Sequence, residues 1–356
     1  MQKRILTSFV HGYQDLSLDI SGEHLPALWE VSDEVSRQHS YPFPRNPGDF
    51  SYIQHVLAGK MPLSGVEDFK SLPRFGLTGL HVHGDYVYAG SWNGVYELRL
   101  DSLELNRFIS HHLMNDMHGI HAGDDYLITV LTGKDTVVLT DYDGNVVDYF
   151  SITSDLRIVK EEGLTQYDWR FLSKQFRGAT GYWHFNYIQK FGDEIWLTSR
   201  NANAFVVVNL EQRKVNLRLM NLSTPVLLHD GLFHNGRYYF TSIDGKIIIA
   251  EDSRTSSFNP REAIETVGLF NRDLVTKVIR LNETQLGREP NWCRGIACSD
   301  DVMMVTIDGR YDSELSFGVL GIRESGEVVA HHRLKWSEIG DESKIKYVTG
   351  FDLQIV

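Results

Sequence analysis

Six short stretches set a polar residue directly in front of an apolar strand: Thr78 before GLHV, His118 before GIHA, Asn186 before YIQK, Asp230 before GLFH, Arg294 before GIAC and Thr349 before GFDL. Asp116, His184, His229 and Trp292 lie one or two positions upstream of these. Neutral imidazoles joined by a carboxylate or an amide suit Zn, Mn or Fe, whereas a set led by the oxygens of Asn186 and Asp230 would suit Ca. The metal-ligand candidates are therefore His118, His184, His229, Asn186 and Asp230, around a divalent ion. Arg294 is the one cation in the set and can hold a substrate carboxylate in a two-pronged hydrogen bond. Asp116 and Tyr182 are the candidates for moving a proton. A plainer role competes: the same side chains can cap strand ends, satisfying backbone groups that the turns leave without partners.

Chemistry at one point requires elements that bring all six stretches together. Five segments share a pattern of Gly or Tyr, an apolar residue, a polar turn and an alternating strand; they begin at residues 79, 119, 187, 231 and 295. Each holds two or three short strands rich in β-branched and aromatic residues, joined by Gly, Asp or Asn turns, which is hairpin chemistry. Four strands per unit, repeated radially, make a β-propeller blade. A sixth unit comes from the ends: YVTGFDLQIV supplies one strand, and KRILTSFVHG and QDLSLDIS supply its partners. Such closure removes exposed sheet edges. The expected fold is all-β, a six-bladed propeller in a single domain, with five or seven blades as the range. A β-sandwich would not explain six recurrences of one opening. In a propeller the innermost strands surround the axis, so the six polar residues would face one mouth of the central channel.

Unequal spacing between the repeats implies insertions near residues 22–73, 151–182 and 252–290. Within them HLPALWEVSDEVSRQHS and PREAIETVGLFNRDLVTKVI read as helices by apolar spacing, the second opened by Asn259 and Pro260. Ordered insertions on a rigid scaffold are common places for binding surfaces.

Composition narrows the partners. A net charge of −12 over 356 residues argues against nucleic acid and anionic membranes, because phosphate binding needs concentrated Lys and Arg. No apolar run approaches the length of a membrane span and the first residues lack a signal-peptide core, so a cytoplasmic protein is expected. Two cysteines, Cys293 and Cys298, are expected as free thiols. The paired histidines at 111–112 and 331–332 fall on outer-strand stretches, while His81, His83, His121 and His234 read as packing or surface residues. No nucleophile elbow, HExxH motif, P-loop or dinucleotide fingerprint is present.

The order DMHGI, WHFNYI, LLHDGLFHNGRYYF, WCRGIA resembles a family of uncharacterised propeller proteins whose blades open with His-Asp, His-Leu-Asn-Gly, Pro-His-Ser and Pro-Arg-Gly motifs. The resemblance covers roughly residues 75–330; Asp230-Gly231 after the third histidine and Phe185 before the asparagine depart from it. A ring of histidines about a propeller axis is also similar to oligogalacturonate lyases, and an Asn and Asp pair there to gluconolactonase and paraoxonase-like propellers. These likenesses imply a metal at the mouth and a carbohydrate acid or lactone as substrate. The preferred reading is a metal-dependent lyase or hydrolase acting on a small-molecule or carbohydrate ligand. The other is a non-catalytic propeller that presents a surface to a protein or small ligand. Leaving His, Asn, Asp and Arg near one axis costs desolvation unless something uses or satisfies them, which favours the enzyme.

Overall fold

The computed structural model describes residues 4–13, 27–31, 36–40, 75–91, 94–160, 182–202, 204–219, 227–251, 275–284, 292–308, 318–333 and 345–356. Their strands form six antiparallel sheets, one per blade, so the chain is a six-bladed β-propeller. The first strands in sequence are β1 (Ile5–Tyr13), β2 (Ala27–Val31), β3 (Ser36–Ser40) and the short β4 (Phe75–Gly76). Blade 1 follows with β5 (Leu80–His83), β6 (Tyr86–Gly90), β7 (Val95–Arg99) and β8 (Leu105–Ile109). Blade 2 has β9 (Met117–Ala122), β10 (Leu127–Leu131), β11 (Thr136–Thr140), β12 (Val146–Ile152) and β13 (Ile158–Val159). Blade 3 has β14 (Phe185–Phe191), β15 (Glu194–Ser199), β16 (Ala204–Asn209) and β17 (Lys214–Leu219). Blade 4 has β18 (Leu228–His234), β19 (Arg237–Ser242), β20 (Lys246–Glu251) and β21 (Val275–Arg280). Blade 5 has β22 (Trp292–Ser299), β23 (Val302–Asp308), β24 (Gly318–Arg323) and β25 (Val328–Arg333). The closing blade joins both ends of the chain: the C-terminal β26 (Ile345–Ile355) is innermost and pairs with β1, followed by β2 and β3.

The expected closure is present, but its outer strands lie further along the chain. QDLSLDIS falls outside the described residues, and the outer pair is Ala27–Val31 with Ser36–Ser40. Both strands sit inside the stretch read as a helix, which corrects that reading. Its apolar spacing also fits a strand with Leu28 and Val31 buried against the blade, and pairing to β1 supplies the ladder hydrogen bonds. The tail of the second expected helix is likewise a strand, β21, whose Val-Thr-Lys-Val-Ile run suits an outer strand. The rest of that stretch lies outside the described residues. Residues 151–160 continue blade 2 through β12 and β13 rather than leaving it.

Why the second and third strands of each blade are largely apolar is plain in β16. Its side chains alternate in direction, and each face packs on a different neighbour: Val206 and Val208 meet Ile128, Val137 and Phe150 of blade 2, and Phe205 and Val207 meet Leu228, Tyr238 and Phe240 of blade 4. Trp196 is buried in the blade 3–4 interface and stacks on Tyr238 at 5.5 Å.

Innermost strands have one edge with no strand partner, and side chains of the preceding blade cap it. The N–H of Leu80 donates to Asp352 Oδ2 (2.5 Å), that of Ala122 to His81 Nδ1 (3.2 Å), and that of Phe233 to Gln189 Oε1 (3.1 Å). Burying unpaired peptide groups would cost as much as lost hydrogen bonds, so these caps help close the ring. His81 and His121 pack ring to ring at 4.2 Å, consistent with the packing role expected for them.

Candidate functional site at the channel mouth

The inner strands of blades 2 to 5 and the closing blade each carry one extra residue, a bulge, just where the polar positions lie. Second-strand hydroxyls brace three of them: Asp230 N–H donates to Thr241, Gly295 N–H to Thr306 and Asp352 N–H to Ser8. Thr241 and Ser8 then donate onward to the carbonyls of Arg294 and Thr78 in the next blade. A bulge turns its extra side chain out of the ladder, which is how these residues come to aim at the mouth.

Aligned on these bulges, the positions at one level are Thr78, His118, Asn186, His229, Arg294 and Phe351. Two of the expected ring members therefore move. Asp230 lies one residue deeper, level with Gly79, Gly119, Tyr187, Gly295 and Asp352, and His229 takes the mouth position. Thr349 lies two residues upstream of Phe351. Both shifts follow from where the glycine stands: Gly231 lies one step past the level of Gly119, and Gly350 two steps before it.

The three histidines do come together. The His118 ring centroid is 5.7 Å from that of His184, edge to face, and 6.2 Å from that of His229. Asn186 holds His118 through Oδ1 to Nδ1 at 2.7 Å. The Asn186 amide nitrogen points to the Leu228 carbonyl (3.5 Å), so Oδ1 is the acceptor and the His118 proton sits on Nδ1. On the other side, His118 Nε2 faces Asp116 Oδ1 at 3.5 Å. Both atoms carry lone pairs, so the approach is favourable with a proton or a cation between them. His229 is buried, and burial followed by the nearby charges of Arg294, His118, His184 and Arg200 holds its pKa well below the usual histidine value. It is therefore a neutral imidazole at pH 7.

Asp116 and His184 adopt left-handed backbone, at φ 52° and 53°, and occupy equivalent places two residues before the bulge. Their carbonyls accept from Thr132 and Arg200 N–H, as the Leu227 carbonyl accepts from Ile243. Such conformations cost of order 1–3 kcal/mol and persist only where neighbours hold them. Arg294 is buried at the mouth level. Tyr182 is elsewhere: the residue is 62% exposed and its ring rests edge-on against Trp183 at 4.8 Å. Leu227 is also exposed at the mouth.

One level deeper, Asp230 and Asp352 are both buried, and their carboxyl groups are pushed well above the ordinary range by burial, with mutual repulsion adding to the rise at Asp230. The Tyr187 hydroxyl is raised too, by burial and then by these two aspartates. The three remaining positions are glycines: a Cβ on Gly295 would stand 2.8 Å from Asp352 backbone atoms, and one on Gly79 would stand 2.9 Å from the His118 carbonyl oxygen. Glycine is required where adjacent inner strands touch.

Sequence reasoning missed Arg200 and Asp135. Arg200 follows β15 in TSRNAN and Asp135 follows a short 3-10 turn in TGKD; neither belongs to the recurring strand opening, so their only signal is a place in a hairpin loop.

As a metal-binding set the donors are chemically apt. Two ligands of a tetrahedral ion at roughly 2.0–2.1 Å lie about 3.4 Å apart, close to the His118–Asp116 separation. A ligating histidine also usually donates its other N–H to a carbonyl, as His118 does to Asn186. Among the described residues, however, no three His, Cys, Asp or Glu side chains already surround one point. Binding by the three histidines would require their side chains to rearrange. Cys293 and Cys298 are free thiols. No helix among the described residues is long and apolar enough to cross a membrane.

No protein-family model matches this chain, and no curated protein matches it. Solved structures similar in fold include the Pan2 WD40 domain of Neurospora crassa (9% identity, TM-score 0.40, 74% of this chain and 66% of that one). This chain thus spans just under two thirds of that one. Others are the Cps50 (Swd1) β-propeller domain of Myceliophteria thermophila (11%, 0.44, 73% and 86%) and Kuenenia stuttgartiensis hydrazine synthase (10%, 0.43, 74% and 67%).

Proposed function

We propose that this propeller is a metal-dependent enzyme with its site at the channel mouth, a lyase or hydrolase acting on a small carbohydrate acid or lactone. The observation that carries the reading is the His118 environment: Nδ1 tethered by Asn186, Nε2 turned to Asp116, and two further imidazoles within about 6 Å. His118, His184 and His229 with Asp116 would hold the ion, with Asn186 orienting His118 from behind. Asp230, one level deeper, is no longer in this set. When bound, a divalent ion supplies Lewis acidity toward a carbonyl or a bound water. Arg294 would bind the acidic group of the substrate, its guanidinium delivering parallel hydrogen bonds. The neutral state of His229 matters because only the unprotonated ring offers a lone pair. Tyr182 is exposed to solvent and takes no part in proton transfer, and Asp116 serves as an ion ligand in place of the proton-transfer role expected for it.

A second reading is favoured by the burial of the site. His118, His229 and Arg294 are each at most 5% exposed, and His118 already has polar neighbours on both ring nitrogens. A polar ring closed on itself serves as the hub of a non-catalytic propeller that binds a protein or small ligand elsewhere.

Elemental analysis of protein purified without a metal-affinity tag, beside His118→Ala and His229→Ala, separates the two. Near-stoichiometric metal that is lost in both variants supports the enzyme. A wild type that stays metal-free after incubation with Zn, Mn, Fe(II) and Ca would leave the hub reading.

A further inference from the structure

The segment carrying His184 is held by a different blade. Asp135, in the loop between β10 and β11 of blade 2, reaches across to blade 3 and accepts the N–H of Trp183 at 2.7 Å and of His184 at 2.9 Å. The Phe185 N–H also acts on this carboxyl group, whose pKa burial pushes up to about 7 against the pull of the three N–H groups. Three successive peptide N–H groups around one carboxylate form a concave anion seat, a geometry that arises when one residue is left-handed. His184, at φ 53°, is that residue. The same loop holds the flanking groups: Thr132 Oγ1 donates to the Phe185 carbonyl at 2.5 Å, and Thr132 N–H donates to the Asp116 carbonyl at 3.2 Å. One hairpin loop thus fixes both left-handed residues of the mouth, Asp116 in its own blade and His184 in the next.

We infer that Asp135 is the positioning residue for His184: by filling the seat of N–H groups it keeps His184 in the left-handed conformation that sets its ring edge-on to His118. This inference rests on the proposed site for its functional meaning, but not for its geometry. A left-handed non-glycine residue reverts to ordinary backbone when what holds it is removed, and the side chain then leaves its direction. Asparagine in place of Asp135 keeps the shape but offers one acceptor oxygen where the seat presents several donors, and turns an NH2 toward another N–H.

The test compares Asp135→Asn with Ser199→Ala in the full chain. Ser199 Oγ donates to the carbonyl of the same Trp183 at 2.6 Å, so its loss loosens the segment without emptying the seat. The primary readout is the His184 ring signals in a histidine-selective proton–nitrogen NMR spectrum of zinc-free protein, where the neighbouring His118 ring shifts them. Asp135→Asn should move the His184 ring signals and leave those of His229 in place, while Ser199→Ala leaves both. Zinc titration of the same samples should show a loss of affinity of about 10- to 100-fold in Asp135→Asn alone. Unmoved His184 signals in Asp135→Asn, or equal movement in both variants, would overturn the inference. If wild type binds no zinc, zinc is excluded as the ion, and the metal reading fails only if Mn, Fe(II) and Ca also do not bind; the ring signals decide the role of Asp135 in either case. Should Asp135→Asn not fold, Asp135→Glu, whose acceptors are displaced by one methylene, is read in the same way.

Discussion

The Nδ1 atom of His118 lies 2.7 Å from Oδ1 of Asn186, a contact between two neighbouring blades made by residues 68 positions apart. Both are buried, so this hydrogen bond fixes the imidazole tautomer as well as the blade-to-blade register. Replacing Asn186 with Ala removes the acceptor and leaves a buried N–H. The expected cost is about 1–3 kcal/mol of unfolding free energy by urea denaturation. An unchanged midpoint would mean that His118 finds another partner.

Contact between inner strands makes a second prediction. Gly295→Ala puts a methyl group 2.8 Å from the backbone of Asp352, and backbone cannot step aside as a flexible side chain can. Gly84→Ala meets nothing within 4 Å and bears only the cost of its positive φ. Thermal melts should show Gly295→Ala as the more damaging, by about 1–3 kcal/mol on the scale of overpacking. Equal melting temperatures would refute close strand contact at this level.

His81 caps the Ala122 N–H through Nδ1, as Gln189 of blade 3 caps Phe233 of blade 4. Burial first, then His121 and His83, depress the His81 pKa to about 3. The unfolded chain takes up this proton near pH 6.5 while the fold resists it, so the unfolded state binds more protons in between. Stability present above pH 6.5 is therefore lost as pH falls from about 6.5 toward 3. His81→Gln keeps an acceptor and removes the titration. Its stability, measured against wild type between pH 7 and pH 5, should improve relatively as the pH drops; a constant difference would count against the assignment.

Asp352 predicts the opposite slope. Its carboxyl is raised by burial, despite N–H bonds from Leu80 and Leu353. The fold keeps this proton at pH values where the unfolded chain has released it, so the contribution falls as pH rises from about 4 through the raised folded-state pKa. Asp352→Asn cannot titrate. The stability difference between variant and wild type should move in favour of the variant from pH 5 to pH 8, and a flat difference would exclude a raised Asp352.

How much of this was legible beforehand follows from which interactions are local. Period-two alternation, turn residues and a recurring opening are local features, and they carried the six blades and the joining of β1 with β26. His118, His184, His229, Asp116 and Arg294 could be singled out because each precedes a recurrent strand start. Apolar spacing over residues 24–40 did not separate helix from strand, since a short run fits both periods until a partner strand supplies hydrogen bonds. Nor did sequence place Asp230: its side chain sits one level below the mouth because a bulge adds a residue to β18, and only pairing with β19 reveals where the extra residue lies. Asp135 and Arg200 belong to hairpin loops with no recurring signature, and they act on residues of another strand or blade. The chain alone thus determined a radial array with polar residues near its axis. Tertiary pairing decided which of them share a level, because a one-residue bulge reverses the direction of a side chain and is felt only between strands.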